Sequence, residues 1–314
     1  LKHIVDRITV FRDGKYVSTD DYASISMSEI ISRMVGRKID NLFPPQIHKP
    51  GNRKLLEVQN ISRTGILNGI SFDLFEGEIL GIAGLMGAGR SELARAVFGA
   101  DPIDSGEVRV NGKHVQIRSP ADAISNGIAY LSENRKEEGL AINMRLTENV
   151  TLSDVPAISK KFGIISKTEE AHATEKYIHD LDIKTPSIFQ VVANLSGGNQ
   201  QKTVVAKWLF CNSRVLFFDE PTRGIDVGTK YAIYELMDRL AARGAGVVLI
   251  SSDLTEILGM TDRVIVLHEG KLAAILQTRE TNQEEILRFA AGLNEPLIHP
   301  VADDKVKTGE QPNL

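Results

Sequence analysis

The sequence holds a single cysteine, Cys211, in 314 residues, which excludes an internal disulfide and suits a reducing compartment. It holds no run near the roughly 18 apolar residues of a membrane-crossing helix, so any role at a membrane is expected to be peripheral, through a partner. It has no excess of positive charge. Lys and Arg number 37 against 41 Asp and Glu, and the net charge of −4 offers nucleic acid no electrostatic attraction. Neither a basic linker nor a long coiled-coil repeat is present. What remains is a chain of ordinary charged and apolar content, long enough for one large domain with appendages or for two small ones.

Three stretches suited to phosphate chemistry follow one another. Gly84-Leu-Met-Gly-Ala-Gly-Arg-Ser91 lies between a strand pattern, Glu78–Ala83, and a helix pattern, Ser91–Phe98. Its glycines let a loop wrap so that backbone N–H groups face phosphates, and Ser91 offers a hydroxyl to Mg2+. It fits G-x-x-x-x-G-K-[ST] except that Arg90 stands where lysine is expected. A planar guanidinium does not reach between phosphates as a compact ammonium does. Next, Leu195-Ser-Gly-Gly-Asn-Gln-Gln-Lys202 opens a helix with Ser196, Gly197 and Gly198, whose bare N–H groups at a helix N-terminus suit an anion. Then Val215-Leu-Phe-Phe-Asp-Glu220, an apolar strand, delivers Asp219 and Glu220 to one end. Singly, each stretch has a bland reading as a turn, a serine N-cap or a solvated strand end. In this order they support one another.

Together with Pro221-Thr-Arg-Gly-Ile-Asp226, these stretches resemble the nucleotide-binding domains of ABC transporters. The likeness is greatest to the second ATPase half of bacterial importers of the ribose, xylose, arabinose and galactose type, for which Asn199-Gln-Gln-Lys202 is characteristic. It covers almost all of residues 1–294. The resemblance implies an α/β fold: a P-loop NTPase domain with an antiparallel β-subdomain and an inserted helical subdomain. It implies ATP and Mg2+ as cofactors. Gly84, Leu85, Met86, Gly87, Ala88, Gly89, Arg90 and Ser91 would cradle the phosphates; Ser91 and Asp219 would hold the metal; Glu220 would polarise the attacking water. Ser196, Gly197 and Gly198 would close on the γ-phosphate held by a partner's loop, and Asp226 would contact that partner. The implied function is ATP binding and hydrolysis that energises uptake of a monosaccharide. The implied partners are the N-terminal ATPase half of the parent chain, membrane permease subunits and a periplasmic sugar-binding protein, with no nucleic acid. The implied place is peripheral, on the cytoplasmic face of the bacterial inner membrane. The identity of the sugar is not implied, because in this family the ATPase does not touch it.

Arg90 is not the only departure from the family pattern. Ser252, in Ile250-Ser-Ser-Asp-Leu254, stands about where the H-loop histidine should fall. Glu133 is the candidate for the Q-loop glutamine expected after the strand Ile128–Leu131. An aromatic platform for adenine, expected near Ile61–Gly65, is not apparent. These departures leave open an alternative, a nucleotide-binding half that regulates the pair while the first half hydrolyses. A third reading, an ABC protein of translation or DNA repair, predicts the basic linker or coiled coil that is lacking.

Residues 1–45 read as the end of a preceding ATPase half. Asp6-Arg-Ile-Thr-Val-Phe-Arg-Asp-Gly-Lys15, a strand, an Asp-Gly turn and a strand, is repeated as Asp262-Arg-Val-Ile-Val-Leu-His-Glu-Gly-Lys271, an offset of 256 residues. The bland alternative is an ordinary N-terminal hairpin and helix, the helix over Ser28–Val35. Residues 46–52 read as a linker, 53–294 as the nucleotide-binding domain with a helical subdomain at about 120–212, and 295–314 as a disordered tail. Short strands are expected at Leu55–Val58, Ile70–Leu74, Gly106–Val110 and Val115–Ile117, the last two flanking Asn111-Gly112. His172 and His179, the pair Lys160-Lys161 and the run Arg135-Lys-Glu-Glu138 read as solvated residues, and Trp208 and Cys211 as packing.

Overall fold

The computed structural model describes residues 5–12, 15–26, 29, 30, 33 and 43–293. The tail expected over 295–314 and most of the helix expected over Ser28–Val35 lie outside them. The chain opens with an antiparallel hairpin, β1 (Arg7–Arg12) and β2 (Lys15–Asp21). It then builds β3 (Lys54–Arg63) and β4 (Leu67–Phe75), whose alternating burial marks a sheet with one wet face. A fully apolar strand follows, β5 (Ile79–Gly84), then helix α1 (Arg90–Val97). The hairpin β6 (Ser105–Val110) and β7 (Lys113–Val115) turns through Asn111-Gly112, both residues at positive φ of 51° and 76°. That two-residue turn pairs Val110 directly with Lys113, so β7 begins two residues before the expected Val115–Ile117. These four antiparallel strands form one sheet in the order β4-β3-β6-β7.

Beyond helix α2 (Pro120–Ser125) comes β8 (Ile128–Leu131), then the helices α3 (Leu146–Thr151), α4 (Lys167–Asp180) and α5 (Gly197–Phe210). The second half alternates strand and helix: β9 (Val215–Asp219), α6 (Val227–Ala242), β10 (Gly246–Ile250), α7 (Leu254–Met260), β11 (Arg263–His268), β12 (Lys271–Gln277) and α8 (Gln283–Ala290). The main sheet runs β12-β11-β5-β10-β9-β8, parallel except for the β11–β12 hairpin. Every residue of β9 and β10 is buried, as unbroken apolar runs require in a parallel sheet covered on both faces. The helical span expected over 120–212 is therefore corrected at its start: β8 belongs to the main sheet, beside β9, and α2 packs on it. The strand read at Ile128–Leu131 is present, but four apolar residues carry no signal of which sheet they join.

The repeat in sequence is a repeat in structure. The register of β1 and β2 shifts between Val10 and Phe11, that of β11 and β12 between Val266 and Leu267. Tyr22 N–H donates to the Asp6 carbonyl at 2.8 Å and Thr278 N–H to that of Asp262 at 2.9 Å. Ser26 Oγ accepts from Glu29 N–H just as Asn282 Oδ1 accepts from Glu285 N–H. Each feature of the second copy lies 256 residues after its counterpart. The copies differ at one edge: β11 pairs with β5, whereas β1 pairs with β2 alone among the described residues.

Candidate functional site

Parallel topology brings the carboxyl ends of β5 and β9 to the same edge of the sheet, where α/β proteins place their ligands. Gly84 ends β5 so close to β11 that a Cβ would stand 2.7 Å from the Leu267 carbonyl oxygen. Gly89 caps α1 at φ 95°, left-handed backbone that glycine adopts without strain. Between them the loop exposes Leu85 and leaves Met86 96% exposed, while Ala88 is buried. Arg90, the first residue of α1, does not extend outward. It donates from Nη1 to the Ser251 carbonyl at 2.9 Å, and Nη2 lies 3.7 Å from Glu220 Oε1.

Asp219 and Glu220 close β9 in different environments. Asp219 is 1% exposed; Tyr130 on β8 donates its hydroxyl to Oδ2 at 2.7 Å, and Oδ1 is buried without a partner. Burial raises the Asp219 carboxyl above its usual range, against the Tyr130 and Ser91 hydroxyls beside it. Glu220 adopts φ 46°, a conformation costing an L-residue about 1–2 kcal/mol and one that clusters at functional sites. Its carboxylate accepts from Ser252 Oγ at 3.2 Å and faces Arg90. Burial raises its pKa too, opposed by the Ser252 hydroxyl and the Arg90 charge. Arg90, Ser91, Asp219, Glu220 and Ser252, from three strand ends, thus form one cluster. The orphaned Asp219 oxygen and the Ser91 hydroxyl beside it are the hard oxygen donors that Mg2+ prefers, so these residues fit that ion.

The other expected residues lie elsewhere. Ser196 caps α5, its hydroxyl accepting from Asn199 N–H, and Asp226 caps α6, accepting from Thr229 N–H at 3.0 Å and Thr229 Oγ1 at 2.7 Å. The two caps are neighbours: a Cβ on Gly198 would stand 2.6 Å from Thr229 Oγ1. Ser196, Gly198 and Asp226 line a hollow of about 650 Å³ that includes no residue of the 84–91 loop. Within this chain, then, the Ser-Gly-Gly turn is not part of the cluster around Glu220. A methyl on Gly197 would lie 3.0 Å from Arg135 Nη2, and Arg135 Nε is buried without a partner. Arg135, read as one residue of a solvated run, is therefore packed on the turn. Glu133 is exposed and pairs with Arg223.

Three contributors escaped the sequence reading. Tyr130 looked like one more apolar residue of a four-residue strand. Glu256, 2% exposed, accepts from four donors on three elements, and nothing in its local pattern marks it. Lys207 donates to the Gly139 carbonyl at 2.6 Å, and burial pushes its ammonium down to about 8. A lysine in the middle of an otherwise apolar helix face was the only cue available.

Known proteins of this shape are ATP-binding cassettes. A nucleotide-free cassette from an ABC transporter superposes with TM-score 0.63 at 22% identity, over 75% of this chain and 94% of that one. A cassette in its ADP conformation gives the same TM-score and identity over 78% and 96%. In sequence the chain is 55% identical over 292 residues to a protein of Agrobacterium fabrum provisionally named a ribose/galactose/methyl galactoside import ATP-binding protein. It is 56% identical over 292 residues to one so named in Burkholderia cenocepacia. Those alignments cover 93% of this chain but only 58% and 57% of the relatives. The pattern of the family described as ABC transporter matches residues 67–223, which hold the glycine loop, the Ser-Gly-Gly turn and the acidic strand. The chain belongs to the ABC transporter family of ATP-binding proteins.

Proposed function

We propose that this chain binds and hydrolyses ATP as the C-terminal half of a tandem subunit that drives uptake of a monosaccharide through a membrane permease. The observation that carries the hydrolytic part is Glu220, strained at the end of β9, half-enclosed, and aimed by Ser252 and Arg90 beside a metal-competent Asp219. Glu220 accepts a proton from the attacking water. Ser252 holds Oε2, while Oε1, now beside Arg90, turns to the water once Arg90 engages phosphate. The loop from Gly84 to Ser91 binds phosphates through its backbone, and Arg90 exchanges its protein partners for phosphate oxygens. Ser91 and Asp219 would hold Mg2+, which when bound would supply positive charge against the phosphates.

The tandem arrangement rests on the 256-residue repeat and on the edge of β1 that no strand covers among the described residues, which matches the edge that β11 gives to the P-loop strand of its own domain. In this reading residues 1–45 end the N-terminal half, 46–52 join the halves, and Ser196, Gly197, Gly198 and Asp226 act on the nucleotide of that half. Glu133 takes the part of the Q-loop glutamine toward the permease, a role its exposure permits. The names of the relatives support a sugar as cargo. In this reading a periplasmic sugar-binding protein delivers it, and the subunit is peripheral at the cytoplasmic face of the inner membrane.

The test is steady-state MgATP hydrolysis and nucleotide binding by the purified chain beside Glu220→Gln. The expected result is retained binding with turnover lowered by about 10²-fold or more, the usual weight of a general base. Equal turnover in both proteins would remove Glu220 from the mechanism, and an absence of binding would overturn the reading of the Arg90 loop.

A further inference from the structure

Glu256 is a buried carboxylate with four separate donors that the proposed reaction does not use. It lies on the first turn of α7 and is 2% exposed. Its Oε1 accepts from Thr222 Oγ1 at 2.5 Å, Tyr234 Oη at 2.7 Å and Lys230 Nζ at 3.0 Å, and its Oε2 accepts from Ser251 Oγ at 2.8 Å. Taking a carboxylate out of water costs several kcal/mol and is tolerated only where hydrogen bonds and a counter-charge replace the lost hydration. Here one ammonium and three hydroxyls do so.

The identity of the donors gives the arrangement its meaning. Thr222 is the second residue after Glu220, in the turn that carries the chain from β9 to Asp226. Lys230 begins the next turn of α6, its N–H donating to the Asp226 carbonyl. Ser251 precedes Ser252, its carbonyl takes the Arg90 guanidinium, and its hydroxyl accepts from Asp253 N–H at 3.0 Å. One carboxylate therefore grips the loop that holds Ser252, the turn that leaves Glu220 and the helix that starts at Asp226. Two other hydrogen bonds tie the first two: Glu220 N–H to the Ile250 carbonyl at 2.9 Å, the end of the β-ladder, and the exposed Ser252 hydroxyl to the Glu220 carboxylate at 3.2 Å.

The geometry points to Glu256 as a positioning residue that makes the 220–226 turn and the 251–253 loop one mechanical unit, so that Glu220, Ser252 and Asp226 hold a fixed mutual placement. Glu256 touches no substrate; it acts through Thr222, Ser251 and Lys230. The kinetic side of this assignment rests on the hydrolytic reading above, while the mechanical side does not.

The experiment compares the unsubstituted chain with Glu256→Gln by amide hydrogen exchange and by ATP kinetics. Glutamine keeps the shape, but its NH2 group faces hydroxyl and ammonium donors, and Lys230 loses its counter-charge. Exchange should quicken together in 221–226 and 251–253, with Arg223 and Asp253 as the reporting amides. The kcat should fall by roughly tenfold or more while KM for ATP moves little, as misplacement of catalytic groups predicts. Quickened exchange in one segment alone, or spread evenly over the domain with kcat intact, would overturn the assignment. Should Glu256→Gln not fold, Ser251→Ala removes a single donor and must still loosen the 221–226 turn, to which the Ser251 hydroxyl is joined through Glu256; an unchanged turn would sink the proposal. Absence of turnover in the unsubstituted chain would count against the hydrolytic reading only, since the exchange pattern would still decide the role of Glu256.

Discussion

Asp219 owes its aim to a neighbour on another strand. Tyr130 reaches across from β8 and holds Oδ2, which leaves Oδ1 as the free, buried oxygen. A hydroxyl bound to a charged acceptor contributes about 1.5–3 kcal/mol. Tyr130→Phe is therefore expected to weaken Mg2+-dependent ATP binding by about tenfold while leaving binding in the presence of a chelator unchanged. Titration of a fluorescent nucleotide with and without Mg2+ checks this; equal weakening in both would show that Tyr130 only fills space. The carboxylates themselves were legible in the sequence because Asp219 and Glu220 follow four apolar residues in a row. Their partners were not. Tyr130, Arg90 toward Ser251, and Glu256 meet the site through contacts 89, 161 and 34 residues apart in the chain, and no local pattern encodes such a meeting.

The signature helix α5 illustrates what elements add. Its start was readable, since a serine followed by glycines reads as an N-cap, whereas Asp226, read only as a contact to a partner, proves to cap α6. Its surroundings were not readable. Gly198 abuts Thr229 on α6, so that no side chain fits between the two helix starts. At its other end, Trp208 packs edge-on against Phe98 with centroids 5.5 Å apart, and Phe98 packs against Tyr130 at 5.6 Å. An aromatic line thus runs from α5 to the residue that orients Asp219. Gly198→Ala is expected to destabilise the chain by about 1–3 kcal/mol, the usual result of overpacking, and to push Thr229 off Asp226. Adding Thr229→Ala should recover most of that loss in urea unfolding, because the clashing hydroxyl is gone. If the double variant is no more stable than Gly198→Ala alone, the clash is not the cause.

At the scale of the molecule, the stretch read as a plain linker is docked. His48 lies between two carboxylates, Nδ1 at 2.5 Å from Asp238 on α6 and Nε2 at 3.0 Å from Asp262 at the foot of β11. Just before it, Phe43 packs at a tilt against Tyr234 with centroids 5.3 Å apart. Burial opposes the imidazolium more than any single partner favours it, but the hydrogen bonds and charges of Asp262 and Asp238 together prevail, and the pKa lies above its ordinary 6.5. A raised pKa means that the folded chain holds the proton more tightly than the unfolded one. The stabilisation is then complete below pH 6.5 and fades as pH rises through the higher folded value. Urea unfolding should accordingly show stability falling from pH 6 toward alkaline pH. His48→Gln should flatten that slope and cost about 3 kcal/mol at pH 6 by leaving two carboxylates without their cation. A slope that survives the substitution would place the titrating group elsewhere.

Spacing along the chain by itself determined the glycine loop, the acidic strand, the cap of α5 and the 256-residue repeat, because each depends on neighbours within a turn or a strand and leaves a local signature. The tertiary structure alone decided that β8 joins the main sheet, that Arg90 turns back to Ser251 and Glu220, that Glu256 gathers three elements and that His48 fastens the linker. The physical reason is common to all four. A buried polar group or a short apolar strand is stable only with partners that the fold delivers from far along the chain, and those partners exist for it only once the sheet has closed.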